Sequence, residues 1–155
     1  MLEVVVLVAL LVVAGIAGLI IWIRRVASCA RKIETPASER EAVLPGDVLC
    51  KHSITSGSLA VLEFFDWGIR LRGHLISRWI VPTWEARYSE LAIAEQVTLP
   101  QSRIAVWLRL KDGQGGIGFF RLPTFDVLRL LEEHGVPVDR SVARVRRVQE
   151  LYRLP

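Results

Sequence analysis

The chain has 155 residues, a formal charge of +4 and 52% hydrophobic residues. With an apolar N-terminal segment set aside, that length suits one domain and not two, and two cysteines make no disulfide framework. The basic excess lies in two arms, 24–32 at +4 and 139–155 at +3, around a middle, 33–138, at −2; a nucleic-acid-binding domain carries its positive patch on the folded body, so nucleic acid is not an expected partner.

Val4 to Ile23 has no charged or strongly polar side chain. Twenty helical residues at about 1.5 Å each span a hydrocarbon core of roughly 30 Å, and a helix is required there because it pairs its own backbone. Trp22 falls where an aromatic ring prefers the interface, and Arg24, Arg25, Arg31 and Lys32 follow as membrane-flanking basic residues. Before the apolar run stand only Glu3 and the amino terminus. The positive-inside rule therefore predicts a single-pass anchor over 1–25 with its N-terminus outside and the following domain in the cytoplasm. A cleaved signal would need a positive leader segment. Val26-Ala27-Ser28-Cys29 has the look of a lipoprotein cleavage box, but Arg24 and Arg25 separate it from the apolar run. Ala14 and Gly18 form a small-xxx-small pair through which two such helices could approach, giving a homodimer.

Residues 26–46 read as a juxtamembrane linker, the part from 33 onward being polar with prolines at both ends. From Asp47 to Val138 a domain follows. Its strand-like runs are Val48–Ile54, Leu59–Phe65, Ile69–Arg72, Arg78–Val81, Ala92–Leu99, Arg103–Lys111 and Ile117–Leu122. Ile69 and Leu71 alternate with Arg70 and Arg72, and Ile104, Val106, Leu108 and Leu110 are expected inward on the sixth run. A helix comes next, with Thr124 as N-cap, Asp126 in its first turn, Gly135 at its end and Pro137 beyond. The fold class is mainly β, a small barrel or sandwich of about seven strands capped by a C-terminal helix and preceded by one transmembrane helix. The tail, 139–155, reads as a basic amphipathic helix from Ser141 to Leu154, lying on the anionic interface or packing on protein.

The series Gly68-Ile69-Arg70-Leu71-Arg72, Ile80-Val81-Pro82-Thr83-Trp84 and Arg87-Tyr88-Ser89-Glu90-Leu91 resembles bacterial PH-like (GRAM-like) domains. In that family a glycine-led strand pair is followed by a Pro/Trp segment and a turn, and a C-terminal helix caps the barrel; Phe125 to Val138 looks like that helix. The resemblance covers about 47–138 and implies a binding or scaffolding module without catalysis. Phosphoinositide binding is not carried over, since only Arg70-x-Arg72 matches its basic pattern.

No residue cluster spells out a reaction. Gly113-Gln114-Gly115-Gly116-Ile117-Gly118 matches the dinucleotide pattern in letters, but the residues after it read as a strand where the chemistry needs a helix, so a hairpin turn accounts for it. His52, His74 and His134 stand in no metal-ligand spacing, and no serine sits in a nucleophile elbow. Neither catalysis nor a cofactor is expected. The candidate partner or lipid contacts are the outward row Arg103, Trp107, Arg109 and Lys111, with Arg146 and Arg147 of the tail; an ordinary solvated strand face is the plain account of that row. Trp67, Trp79, Trp84 and Trp107 are expected mainly in core packing, with an exposed one able to anchor a partner. The expected function is a non-enzymatic membrane-tethered binding or scaffolding module on the cytoplasmic face of a bacterial plasma membrane, held to the bilayer and to a protein partner. The alternative is a small accessory subunit of a membrane protein complex that assembles through its transmembrane helix.

Overall fold

The computed structural model describes residues 2–27, 30–50, 53–54, 60–74, 77, 81, 83–99, 103–113, 116–121 and 123–144. The chain opens with helix α1, Leu2–Ala27, whose 26 residues extend about 39 Å at about 1.5 Å each. Its described apolar side chains are all exposed, from Leu11 at 65% to Ile20 at 47%. Among the described residues no helix is long and apolar enough to cross a membrane.

Among the described residues the rest is mainly β with one further α-helix. In chain order come β1 (Arg40–Cys50), β2 (Ser53–Ile54), β3 (Ala60–Phe65), β4 (Gly68–Gly73), β5 (Trp84–Arg87), a 3₁₀ turn (Tyr88–Glu90), β6 (Leu91–Leu99), β7 (Arg103–Leu110), β8 (Gly116–Phe120), α2 (Thr124–Glu133) and β9 (Val138–Arg144). Eight strands follow one hydrogen-bonded path, β5-β4-β3-β1-β8-β7-β6-β9, with β2 hairpinned onto β1. β1 is shared: its first half pairs with β3 as far as Gly46↔Ala60, and Asp47 to Leu49 then pair with β8. A first sheet, β5-β4-β3-β1, thereby passes into a second, β1-β8-β7-β6-β9. The handover falls between Gly46 and Asp47, and fully buried Asp47 there meets Arg121, Oδ2 to Nη1, at 3.4 Å.

The larger of two buried clusters forms the main core, drawing Phe64, Ile69, Leu71 and Trp84 from the first sheet, Leu91, Leu108, Ile117 and Phe119 from the second, and Val127, Leu128 and Leu131 from α2. The helix is amphipathic, burying one stripe of side chains and leaving Phe125 70% exposed. It ends where Gly135 takes φ +75°, a conformation costly for a residue with a Cβ. It begins with Pro123 in the capping position and no side-chain capping bond, so Thr124 is its first helical residue and not its N-cap.

Four further sequence expectations need correction. The linker predicted to run to 46 is strand from Arg40, because its last seven residues supply β1's pairing with β3. The strand expected at Arg78–Val81 does not include Val81, which lies in a bend; residues 78–80 lie outside those described, and a strand follows at Trp84–Arg87. The tail helix expected from Ser141 is β9 as far as Arg144, because the open edge of β6 offers backbone partners that pair it in parallel, Ala94↔Val138 to Thr98↔Arg144. Finally, β7 is covered on both faces: Val106 and Leu108 join the main core, while Ala105 and Trp107 join Val97, Leu99 and Phe120 in a second cluster. Trp107 is 1% exposed, so it is no surface contact, and Ile104, expected inward, is 47% exposed.

Candidate functional site

The alternation in β4 sets up a charged surface on the first sheet. Ile69 and Leu71 turn into the core, so Arg70 and Arg72 stand on the opposite face of the first sheet. The register places Arg70 between Glu63 of β3 and Glu85 of β5, and such facing pairs are the unit of sheet stabilisation. Arg70 donates from Nε to Glu85 Oε1 at 2.6 Å. Arg72 Nη2 at 2.8 Å and Arg40 Nη1 at 3.1 Å both donate to Glu63 Oε1. Glu63 and Glu85 are buried, where an unpaired carboxylate would be costly. Burial works to raise the Glu63 carboxyl, but the hydrogen bonds and charges of Arg72 and Arg40 outweigh it and hold it below its ordinary range. The Arg70 guanidinium also lies over the Phe65 ring, 5.0 Å from its centroid, and Phe65 stacks on Trp67.

A strap of chain, residues 31–39, crosses this face from the edge of β5 to the start of β1. Arg31 makes a parallel bridge with Trp84: its N–H donates to Thr83 O at 3.1 Å and its carbonyl accepts from Glu85 N–H at 2.8 Å. The Ile33 N–H donates to Glu85 Oε2, Arg87 Nη2 to the Glu34 carbonyl and Arg70 Nη2 to Thr35 Oγ1. The strap thereby covers the edge of β5, which would otherwise show a row of unpaired backbone groups. Between strap and sheet lies an open cavity of about 740 Å³, bounded by Ser38, Glu39 and Arg40 on one side and Glu63, Arg70 and Arg72 on the other. The Ser38 Oγ is buried and has no hydrogen-bond partner among the described residues. Three arginines there face the carboxylates of Glu39, Glu63 and neighbouring Glu85, so the cavity is near neutral and rich in donors already committed to acceptors.

The strap's first residue meets a second centre, Glu90. Its Oε1 accepts from Arg31 Nη2 at 2.9 Å, its Oε2 from the Arg87 N–H at 2.8 Å, and its carbonyl from the Lys111 N–H at 2.9 Å. Arg31, Arg87 and Lys111, distant in sequence, are thus gathered at one end of the β6–β7 ladder, with Lys32 beside them in the chain. From the same turn Tyr88 donates to the Phe65 carbonyl at 2.9 Å and stacks on His134, with ring centroids 4.1 Å apart. His134 Nε2 lies 2.7 Å from Glu41 Oε2. Burial, then the charges of Glu41 and Asp66, push the Tyr88 hydroxyl well above its ordinary range, so it stays a neutral donor.

The residues singled out from sequence do not come together as one site. Arg24 is exposed on α1; of the Arg25 side chain nothing is described. Arg31 is docked on the domain and Lys32 is exposed. Along β7, Arg103 is exposed with its guanidinium 6.0 Å from the Phe120 ring centroid, Arg109 donates to Glu95 Oε2 at 2.7 Å, and Lys111 is exposed in the turn after the strand. Arg146 and Arg147 lie outside the described residues. Glu63, Glu85 and Glu90 escaped the sequence reading. A signal for them existed, because two half-buried arginines alternating with core residues call for carboxylates on the neighbouring strands. Among the described residues no group of three or more His, Cys, Asp or Glu could hold a metal ion. No protein-family model matches the chain, and no curated protein matches it in sequence.

Proposed function

We propose that the chain is a membrane-anchored, non-enzymatic binding or scaffolding module whose PH-like domain works at the cytoplasmic face of a bacterial plasma membrane. The observation that carries this reading is α1: the described apolar side chains along its length are exposed, an arrangement unfavourable in water and favourable in lipid. The apolar sequence from Val4 to Ile23 and the arginines on one flank only supply the span and the orientation. The PH-like part is supported by the order of elements, two sheets that are antiparallel apart from the β6–β9 edge and a helix after β8 packed on the shared core. A binding role is supported by the buried carboxylates Glu63 and Glu85, which arginines already engage and which are therefore poorly placed for acid–base work. Since the anchor sets location, the domain's task is to hold a protein partner near the bilayer.

Alkaline extraction of membranes should leave the full chain in the pellet and release a chain lacking residues 1–25. Crosslinking in intact cells should then capture a protein; capture of lipid alone would sink the scaffolding role. The helix-based alternative draws on the small-xxx-small pair Ala14 and Gly18; open space surrounds the Gly18 backbone, where a second helix could approach. Replacing residues 4–23 with an unrelated apolar segment separates the two readings. Function retained favours the domain, and function lost favours the helix.

A further inference from the structure

We infer that the end of the β6–β7 ladder bearing the 3₁₀ turn, with Lys32, Arg87 and Lys111, is the surface the domain presents to an anionic bilayer. This rests on the membrane-anchor reading above and adds an orientation to it.

The first step is covalent reach. α1 ends at Ala27, and Arg31 is already fixed on the domain by two backbone hydrogen bonds and its ion pair with Glu90. Three residues lie between, so the Cα atoms of Ala27 and Arg31 are at most about 14 Å apart. What reads in sequence as a loose linker of some twenty residues is a short spacer, because the remainder is strapped to the sheet. A gap of that size is too narrow for a folded partner, since even a 100-residue domain is more than about 26 Å across. The bilayer interface fits it.

The second step is charge. Glu90 ties Arg31 and the backbones of Arg87 and Lys111 to one place, and the side chains of Lys32, Arg87 and Lys111 are exposed there. Glu34, Asp66 and Asp112 are exposed acids nearby, with Glu41 paired to His134, so the domain's own charges roughly balance there and Arg24 and Arg25 at the end of α1 supply the positive excess. An anionic leaflet attracts such residues within roughly a Debye length, about 8 Å at physiological salt. The third step is direction. In the β6–β7 register Leu91 faces Leu110 and Leu99 faces Arg103, so Lys111 and Arg103 stand at opposite ends of β7. Eight residues of strand separate them by about 26 Å.

The test uses the full chain, with Cys29→Ser and Cys50→Ser, reconstituted in vesicles of phosphatidylcholine with phosphatidylglycerol and a headgroup-labelled quencher. A fluorophore is attached at Ser89→Cys, in the 3₁₀ turn at the same end as Lys111, in one sample and at Arg103→Cys in another; both positions are exposed, so neither substitution disturbs the core. Quenching is expected to be at least about twofold stronger at 89 than at 103, with the difference shrinking in pure phosphatidylcholine and at raised salt. Arg31→Pro, which removes the N–H given to Thr83, should free the strap and bring the two labels to similar quenching. Equal quenching in the parent, or the reverse order, overturns the orientation, and an unchanged ratio in Arg31→Pro overturns the strap's part in it. A chain that fails to float with the vesicles refutes the anchor itself, a result distinguishable from floating with equal labels.

Discussion

Strands β4 and β7 share a pattern, apolar residues alternating with arginine, yet the faces they turn away from the main core meet opposite surroundings. On β4 that face is ionic: Arg70 and Arg72 are held by Glu85 and Glu63, and the strap lies across them. On β7 the equivalent face carries Ala105 and Trp107, both fully buried with Val97, Leu99 and Phe120, and Arg109 is half-covered in a pair with Glu95. The first face is closed by charge pairing and the second by apolar contact. Alternation therefore tells which side chains enter the main core and leaves open what the other face touches.

The largest test of that contrast is Trp107→Ala. Truncating a fully buried tryptophan should cost about 3–5 kcal/mol, read as a lowered urea midpoint for the full chain in detergent. A loss below about 1 kcal/mol would mean that the second cluster is a loosely covered surface. Gly116→Ala probes the same face from the neighbouring strand. A Cβ there would stand 2.3 Å from the Leu108 carbonyl oxygen and 3.0 Å from the Trp107 ring, so Trp107 is seated against bare backbone. The crowding should cost about 1–3 kcal/mol, measured the same way.

On the ionic face, Glu63→Gln should cost about 1–2 kcal/mol, discounted because Arg40 and Arg72 keep partial access to solvent. The pH dependence sets this apart from a packing loss. Arg72 and Arg40 hold the folded-state carboxyl of Glu63 below its ordinary value of 4.5. A lowered folded pKa contributes stability that is present above the unfolded value and lost as pH falls through the folded one. The gap between the parent and Glu63→Gln should therefore be full above about pH 4.5 and close as acid is added, whereas the Trp107→Ala gap should persist. Parallel curves for Glu63→Gln and the parent down to strong acid would remove the ionic half of the comparison.

The contrast also explains what sequence could reveal. Strands β3, β4, β6, β7 and β8 were legible because their inward residues alternate or run apolar between turn residues, and α2 was legible from its apolar stripe and Gly135. The strap was not, since polar residues with Pro36 read as a solvated linker unless the charged face receiving them is known; Thr35 and Arg40 are polar because Arg70 and Glu63 await them. Trp107 was misplaced because Arg103, Arg109 and Lys111 made its row look solvent-facing, while Val97, Leu99 and Phe120 come from other strands. β9 was hidden for a related reason. The apolar spacing after Ser141 suits a helix in isolation, and only the free edge of β6, created by tertiary structure, selects the extended form.

The smallest expected effect is the sharpest on how far charge pairing extends across β7. Arg109 on β7 and Glu95 on β6 are diagonal neighbours, Arg109 lying opposite Ile93 and Glu95 opposite Trp107, with side chains 16% and 22% exposed. Water still reaches them, so Arg109→Ala should cost only about 1 kcal/mol, and a double-mutant cycle with Glu95→Ala should give a coupling of about 0.5–1 kcal/mol that falls with salt. Arg103→Ala, at the exposed end of the strand, should fall within about 0.5 kcal/mol of the parent. If the Arg109–Glu95 coupling instead matched the Glu63 effect and resisted salt, the second face would be closed by charge as firmly as the first. The apolar cluster under Trp107 would then be a patch within an ionic surface, and the distinction between the two strands would vanish.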